Sequence, residues 1–274
     1  MSVYAIVTCY GADYVPFTAA LIESVIQQKM IPVVTTVHGP GRFPPHDDYY
    51  KSIVLEPKVA RKIQDGVREY RVAHKIVGWE GAFESIPVRS PMVFLDSDTL
   101  VLKSLDPIWY GRRLDFGYTV RSGRWRLNAG VVFATQSARM HREFQRWVLY
   151  TDHILDSDMK RLQAQSLYGT ADQAALHQLI CQMEDNGGLM VLPFEWNLWN
   201  NDQFYEKDVG FESSAIIHLK DVRRHLFLDP STTEERILDC YPAFRVWLSY
   251  YDAFINRTGI RLTEIPIREE LERL

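Results

Sequence analysis

The sequence predicts an α/β fold with a mostly parallel central sheet flanked by helices, and three observations carry that reading. First, β-rich and nearly all-apolar runs recur, as in "VYAIVTCY" at 3–10 and "MVFLD" at 92–96. A strand that is apolar on both sides is one covered on both sides. Second, stretches of helical spacing stand between such runs, at 15–28 and 67–81. Third, the order β-α-β-β-α-β is that of parallel strands joined by helical crossovers.

Taken in order, 3–10 is the first strand, and the helix at 15–28 places Phe17, Ala20, Leu21, Ser24 and Val25 on one face. A strand at 31–39 leads into a Gly- and Pro-rich loop at 39–48, and the strand at 52–57 stops before a proline. After the helix at 67–81 comes the strand at 92–96. The second half is mixed, with strands at 114–120, 128–135, 188–193 and 214–220 and helices at 137–150 and 171–184. Closing helices at 232–254 are expected to break near Pro242. No repeat or linker divides the chain. The expectation is one domain over 1–274, with a nucleotide-binding half at 1–98, a donor-sugar and acceptor half at 99–225 and a helical segment at 226–274.

With 46% hydrophobic and 24% charged residues among 274, and a net charge of −4 spread along the chain, the protein has no nucleic-acid-binding signature. Cys9, Cys181 and Cys240 are odd in number and far apart, which fits neither a disulfide framework nor a zinc site and suits a reducing, cytoplasmic setting. No stretch reaches the roughly 18 apolar residues of a membrane helix, and the N-terminus reads as a first strand rather than a leader.

The chemistry begins where the strand at 92–96 runs into Asp96 and Asp98. In extended backbone, side chains at i and i+2 share a side, so the two carboxylates converge while Ser97 turns away. Two adjoining carboxylates repel unless a cation sits between them. Strand ends of open α/β sheets are where ligands bind, and oxygen ligands select a hard ion such as Mg²⁺ or Mn²⁺. A solvated turn would use the same D-x-D pattern. An EF-hand is excluded because its glycine and distal glutamate are missing. The D-x-D-x-T phosphatase pattern fails at Leu100.

An ordered series of segments extends this: "VTCYGADYVPFTAALIESV", "AHKIVGW", "FLDSDTLVLKSLDPIW", "LNAGVVFA", "ADQAAL", "LPFEWNLW" and "IIHLKDVRR". In that order, over roughly 3–225, the sequence resembles glycogenin-like retaining GT-A glycosyltransferases. The resemblance implies a GT-A fold, a UDP-sugar donor, Mn²⁺ or Mg²⁺, and transfer of a hexose to a sugar, glycan, protein or small-molecule acceptor. It implies Asp96, Asp98 and His218 as metal ligands, although a histidine in "SAIIHLK" could equally be a packed core residue. Thr8 and Tyr14 fall near the uracil and ribose, and Ser97 falls in the donor-binding set. Lys75 reaches donor phosphate or sugar oxygens, and Asn128 meets sugar hydroxyls. Asp172 and Gln173 come near the anomeric carbon, where Asp172 is either a covalent nucleophile or a bystander to same-face attack; a helix-capping Asp172 fits the residues as well.

This chain departs from the pattern after His218, with Asp221 where a glycine is usual and Arg224 where a lysine binds diphosphate. Arg224 keeps that chemistry through its guanidinium, with Lys220 and Arg223 beside it. The segments 121–130 and 194–205, rich in Arg and aromatic residues, are expected to edge the acceptor site. None of the 14 tyrosines stands out as a self-acceptor. Homodimerisation is left open. Two other classes compete: a nucleotidyltransferase, which would carry a basic Gly-rich loop where "TCYGADYVP" has no Arg or Lys, and a nucleotide-sugar binding protein without turnover.

Overall fold

Strand β1 (Tyr4–Cys9) is buried from Ala5 onward because it lies between two parallel neighbours, β2 (Ile31–Val37) and β4 (Pro91–Leu95). The computed structural model describes residues 2–11, 14–37, 43–55, 68–111, 113–120, 127–183, 188–192, 198–199, 214–219, 234–260 and 262. Within them a seven-stranded sheet runs β3 (Lys51–Leu55), β2, β1, β4, β7 (Leu127–Thr135), β6 (Phe116–Val120), β8 (Leu189–Leu192). Only the β4–β7 and β7–β6 ladders are antiparallel, so the mostly parallel sheet expected from the sequence is present.

Period-two alternation divides the core. Ile6, Met92, Phe94, Val132 and Ala134 face α2 (Arg68–Ala82), α3 (Ala138–Leu155) and α5 (Ala171–Gln182). There Trp79, Phe83, Phe144 and Trp147 pack against Phe94 and one another, with ring centroids 4.4–5.9 Å apart. On the other side Ala5, Val7, Val93, Leu95, Val131 and Phe133 meet Leu21 and Val25 of α1 (Val15–Gln27).

A second sheet, β5 (Thr99–Val101), β10 (Ile216–His218) and β9 (Leu198–Trp199), was not foreseen. Its central strand β10 pairs antiparallel with β5, placing His218 opposite Thr99. The helix α4 (Asp158–Tyr168) was also missed, because only Ala164 of its eleven residues is buried and its apolar stripe is correspondingly weak.

The break expected near Pro242 is absent. A single helix, α6 (Glu234–Thr258), passes through it. A proline removes one intrahelical hydrogen bond, and the later half of α6 outweighs that loss by docking on α1. Trp247 packs on Phe17 at 5.0 Å, and Arg257 forks onto the buried Glu23 carboxylate at 2.7 and 2.8 Å. Among the described residues no helix is long and apolar enough to cross a membrane.

Candidate active site

The turn after β4 is built by the residues that carry its charges. Thr99 returns both its N–H and its hydroxyl to the Asp96 carbonyl, at 3.2 and 2.7 Å, and the Asp96 N–H donates to Gly130 O at 2.8 Å. Ser97 turns away, as the i, i+2 rule requires, and its hydroxyl donates to Thr8 O at 2.6 Å, tying β4 to β1. The Leu219 N–H donates to Asp98 O at 2.6 Å, which draws the end of β10 onto the same turn.

The result is a buried trio. Ligand atoms of Asp96, Asp98 and His218 lie within 4.8 Å of one another, and the residues are 5%, 3% and 0% exposed. His218 Nε2 is 3.0 Å from Asp98 Oδ1 and 3.5 Å from Asp96 Oδ2. Burying two carboxylates is costly without compensating positive charge. Gly130 leaves the room around them: a Cβ there would stand 2.4 Å from His218 Cε1 and 2.8 Å from Asp96 Oδ2. Gly130 lies where the β6–β7 ladder is irregular: Tyr118 faces Val132 but Thr119 faces Asn128. Two carboxylates and an imidazole around a glycine-cleared space fit a divalent cation of the Mg²⁺–Mn²⁺ type.

Lys75 faces both acidic elements. Its ammonium sits 2.8 Å from Asp96 Oδ1 and 2.9 Å from Asp172 Oδ2, and 5.4 Å from the Trp79 ring centroid. Burial alone would lower the Lys75 pKa; Asp172 and Asp96 together outweigh it and hold it above its ordinary value. The Lys75–Asp172 contact is a buried ion pair, with the two side chains 4% and 1% exposed. Asp172 does not act as a helix cap by side chain: the N-cap residue of α5 is Thr170, which makes no capping bond either.

The other expected residues divide. Thr8 is 1% exposed, and its hydroxyl bonds Thr35 Oγ1 at 2.7 Å and the Lys75 carbonyl at 3.2 Å. It therefore seats the Lys75 helix on the sheet, where Gly78 leaves no space for a side chain: a Cβ would stand 2.2 Å from Thr8 Oγ1. Tyr14 is 6% exposed and packs against Tyr10 with centroids 4.2 Å apart. Asn128 Oδ1 accepts the Gly130 N–H at 2.9 Å, so this amide oxygen shapes the clearing by the trio. Gln173 adjoins Asp172 in the first turn of α5, and its amide donates to Tyr168 O. Arg224, Lys220, Asp221 and Arg223 lie outside the described residues, as do 121–126 and most of 194–205.

Solved structures of glycosyltransferases share this fold. The galactosyltransferase LgtC, determined with donor and acceptor sugar analogues, aligns over 100% of both chains at 15% identity with a TM-score of 0.52. The chain has the GT-A glycosyltransferase fold. A glycosyltransferase involved in glycosylating the major capsid of PBCV-1 shares this fold at a TM-score of 0.51 and 13% identity, over 82% of this chain and 98% of that one. GlyE of Streptococcus pneumoniae TIGR4 shares it at 0.54 and 13%, over 94% of this chain and 63% of that one. No protein-family model and no curated protein matches by sequence.

Sequence reasoning missed two features of this cluster. Lys75 spans Asp96 and Asp172, two contacts the sequence did not indicate. Gly130 went unremarked inside "LNAGVV", although a glycine mid-strand signals a bulge or close approach.

Proposed function

We propose that this protein is a metal-dependent glycosyltransferase that moves a hexose from a UDP-sugar, of the UDP-glucose or UDP-galactose type, to an acceptor with retention of anomeric configuration. The observation that carries the reading is the buried Asp96–Asp98–His218 trio on a GT-A sheet, with Lys75 joining it to Asp172.

Asp96, Asp98 and His218 hold the cation, Mn²⁺ or Mg²⁺; when bound, it supplies positive charge against the departing diphosphate. Lys75 holds Asp96 in its ligating orientation and pairs with Asp172. Arg224 takes phosphate oxygens through a guanidinium fork. Asn128 and Gln173 meet donor-sugar hydroxyls, while Asp172 and Gln173 lie on the side of the reacting carbon. Ser97, Thr8 and Tyr14 shape the floor and wall of the nucleotide site by packing and hydrogen bonds.

A donor panel tests this. Purified protein with Mn²⁺ is given UDP-glucose, UDP-galactose and their N-acetyl forms, and UDP release is followed with and without candidate acceptors. Release from one UDP-hexose with an α-linked product supports the proposal. Pyrophosphate release from UTP plus a sugar phosphate would instead identify a nucleotidyltransferase, and Mn²⁺-dependent UDP binding without release, a binding protein.

A further inference from the structure

Helix α5 carries a thiol that the candidate active site does not use. Cys181 is a free, exposed cysteine one helical turn after His177, which is exposed as well. Its Sγ lies 3.8 Å from His177 Nε2, within reach of a sulfur hydrogen bond. Cys9, by contrast, is wholly buried at the end of β1, where its thiol donates to Gly11 O.

A spacing of four residues alone brings a thiol and an imidazole together. What spacing does not supply is a partner for the second ring nitrogen. Here the Tyr168 hydroxyl stands 3.2 Å from His177 Nδ1, and the two rings pack with centroids 5.0 Å apart. Tyr168 is the last residue of α4. Gly169 follows it with φ +85, in the region that favours glycine, and closes α4 by donating to Gln165 O at 3.1 Å. That turn lays Tyr168 against the next helix.

A phenol oxygen can accept as well as donate. With Nδ1–H donated to it, Nε2 is the basic nitrogen of His177, and Nε2 is the one that faces sulfur. Once the ring has taken the thiol proton, both N–H groups keep their partners, the phenol oxygen and the thiolate. The thiolate is the attacking form of cysteine, and a helix C-terminus does nothing to favour it. The side chains do. Besides His177, a guanidinium stands at the same end of α5, where Arg146 of α3 donates to Gln182 Oε1 at 3.0 Å.

We propose that Cys181 is a modification site for low-molecular-weight disulfides, with His177 taking the thiol proton and Tyr168 positioning His177. The Cys181 sulfur attacks one sulfur of the disulfide RS–SR. A Cys181–S–SR bond forms as the S–S bond of the reagent breaks, and the departing RS⁻ takes the proton from His177 and leaves as RSH. Cys181 is oxidised and one sulfur of the reagent is reduced, so the exchange needs no other oxidant. It is independent of any sugar transfer.

The full chain at neutral pH is incubated with hydroxyethyl disulfide, and peptide mass mapping follows each cysteine. Cys181 forms the mixed disulfide about tenfold faster than an unstructured cysteine peptide. Dithiothreitol reverses it, and Cys9 stays unmodified in the native protein. His177→Ala brings Cys181 down to the rate of the peptide or below it; His177→Gln serves if that variant does not fold. Tyr168→Phe, which keeps the ring and loses the hydroxyl, slows the reaction about threefold, the scale of one modest hydrogen bond. A wild-type Cys181 no faster than the peptide, or a folded His177 variant that keeps the fast rate, overturns the proposal. A Tyr168→Phe that reacts as the wild type does overturns the part given to Tyr168.

Discussion

His218 Nε2 lies 3.0 Å from Asp98 Oδ1, although 120 residues separate them. The contact depends on β10 pairing with β5, because that register sets His218 beside the turn that carries both aspartates. Local sequence makes the aspartates converge; only the long-range pairing adds the imidazole.

Gly130→Ala tests the clearing around the trio. Its Cβ would intrude 2.4 Å from His218 Cε1 and 2.8 Å from Asp96 Oδ2. The β7 backbone can keep its extended course, so the variant folds, but turnover falls by about a hundredfold, the scale of an ångström-sized misplacement. Steady-state rates across a Mn²⁺ titration check this, with weaker metal activation expected.

Lys75→Met leaves Asp96 and Asp172 buried with no ammonium between them. Removing one partner of a buried ion pair costs about 3–5 kcal/mol. Urea unfolding is expected to show that loss, and Asp172→Asn in the same chain to recover part of it, a coupling that a double-mutant cycle reads directly.

His74 gives a pH dependence separate from the metal site. Burial lowers its pKa from 6.5 to about 4, and its Nε2 is enclosed without a hydrogen-bond partner among the described residues. The folded protein thus keeps the imidazole neutral. Below pH 6.5 the unfolded chain takes up the proton first, so this contribution is whole above 6.5 and is lost as pH falls toward about 4. The loss is about 3 kcal/mol, at roughly 1.4 per pH unit. Denaturation midpoints measured in that window should fall less steeply in His74→Leu than in the wild type.

Much of the sheet was legible. Met92 and Phe94 turn to one side and Val93 and Leu95 to the other, and such a doubly covered strand shows itself as an unbroken apolar run. The Asp96–Asp98 convergence was legible for the same period-two reason. What was not legible depends on tertiary contacts. The residues around His218 read only as an apolar strand, and the resemblance alone set it with the two aspartates, where the structure has it. Helix α6 continues through Pro242 because Trp247 and Arg257 fasten it to α1, a compensation that helix propensity does not contain. The bridging role of Lys75 needs α2, β4 and α5 together, and no spacing in the chain records their convergence.

The central claim is that Asp96, Asp98 and His218 jointly hold a divalent cation for a nucleotide diphosphate. Thermal unfolding with Mn²⁺ plus UDP, against Mn²⁺ plus ATP, measured in the wild type and in Asp98→Asn, tests it most directly. Stabilisation of about 2.7 kcal/mol at a hundredfold excess over Kd, specific to Mn²⁺ plus UDP and absent in a folded Asp98→Asn, is the predicted result. Equal stabilisation of wild type and Asp98→Asn, or none in either, would contradict it.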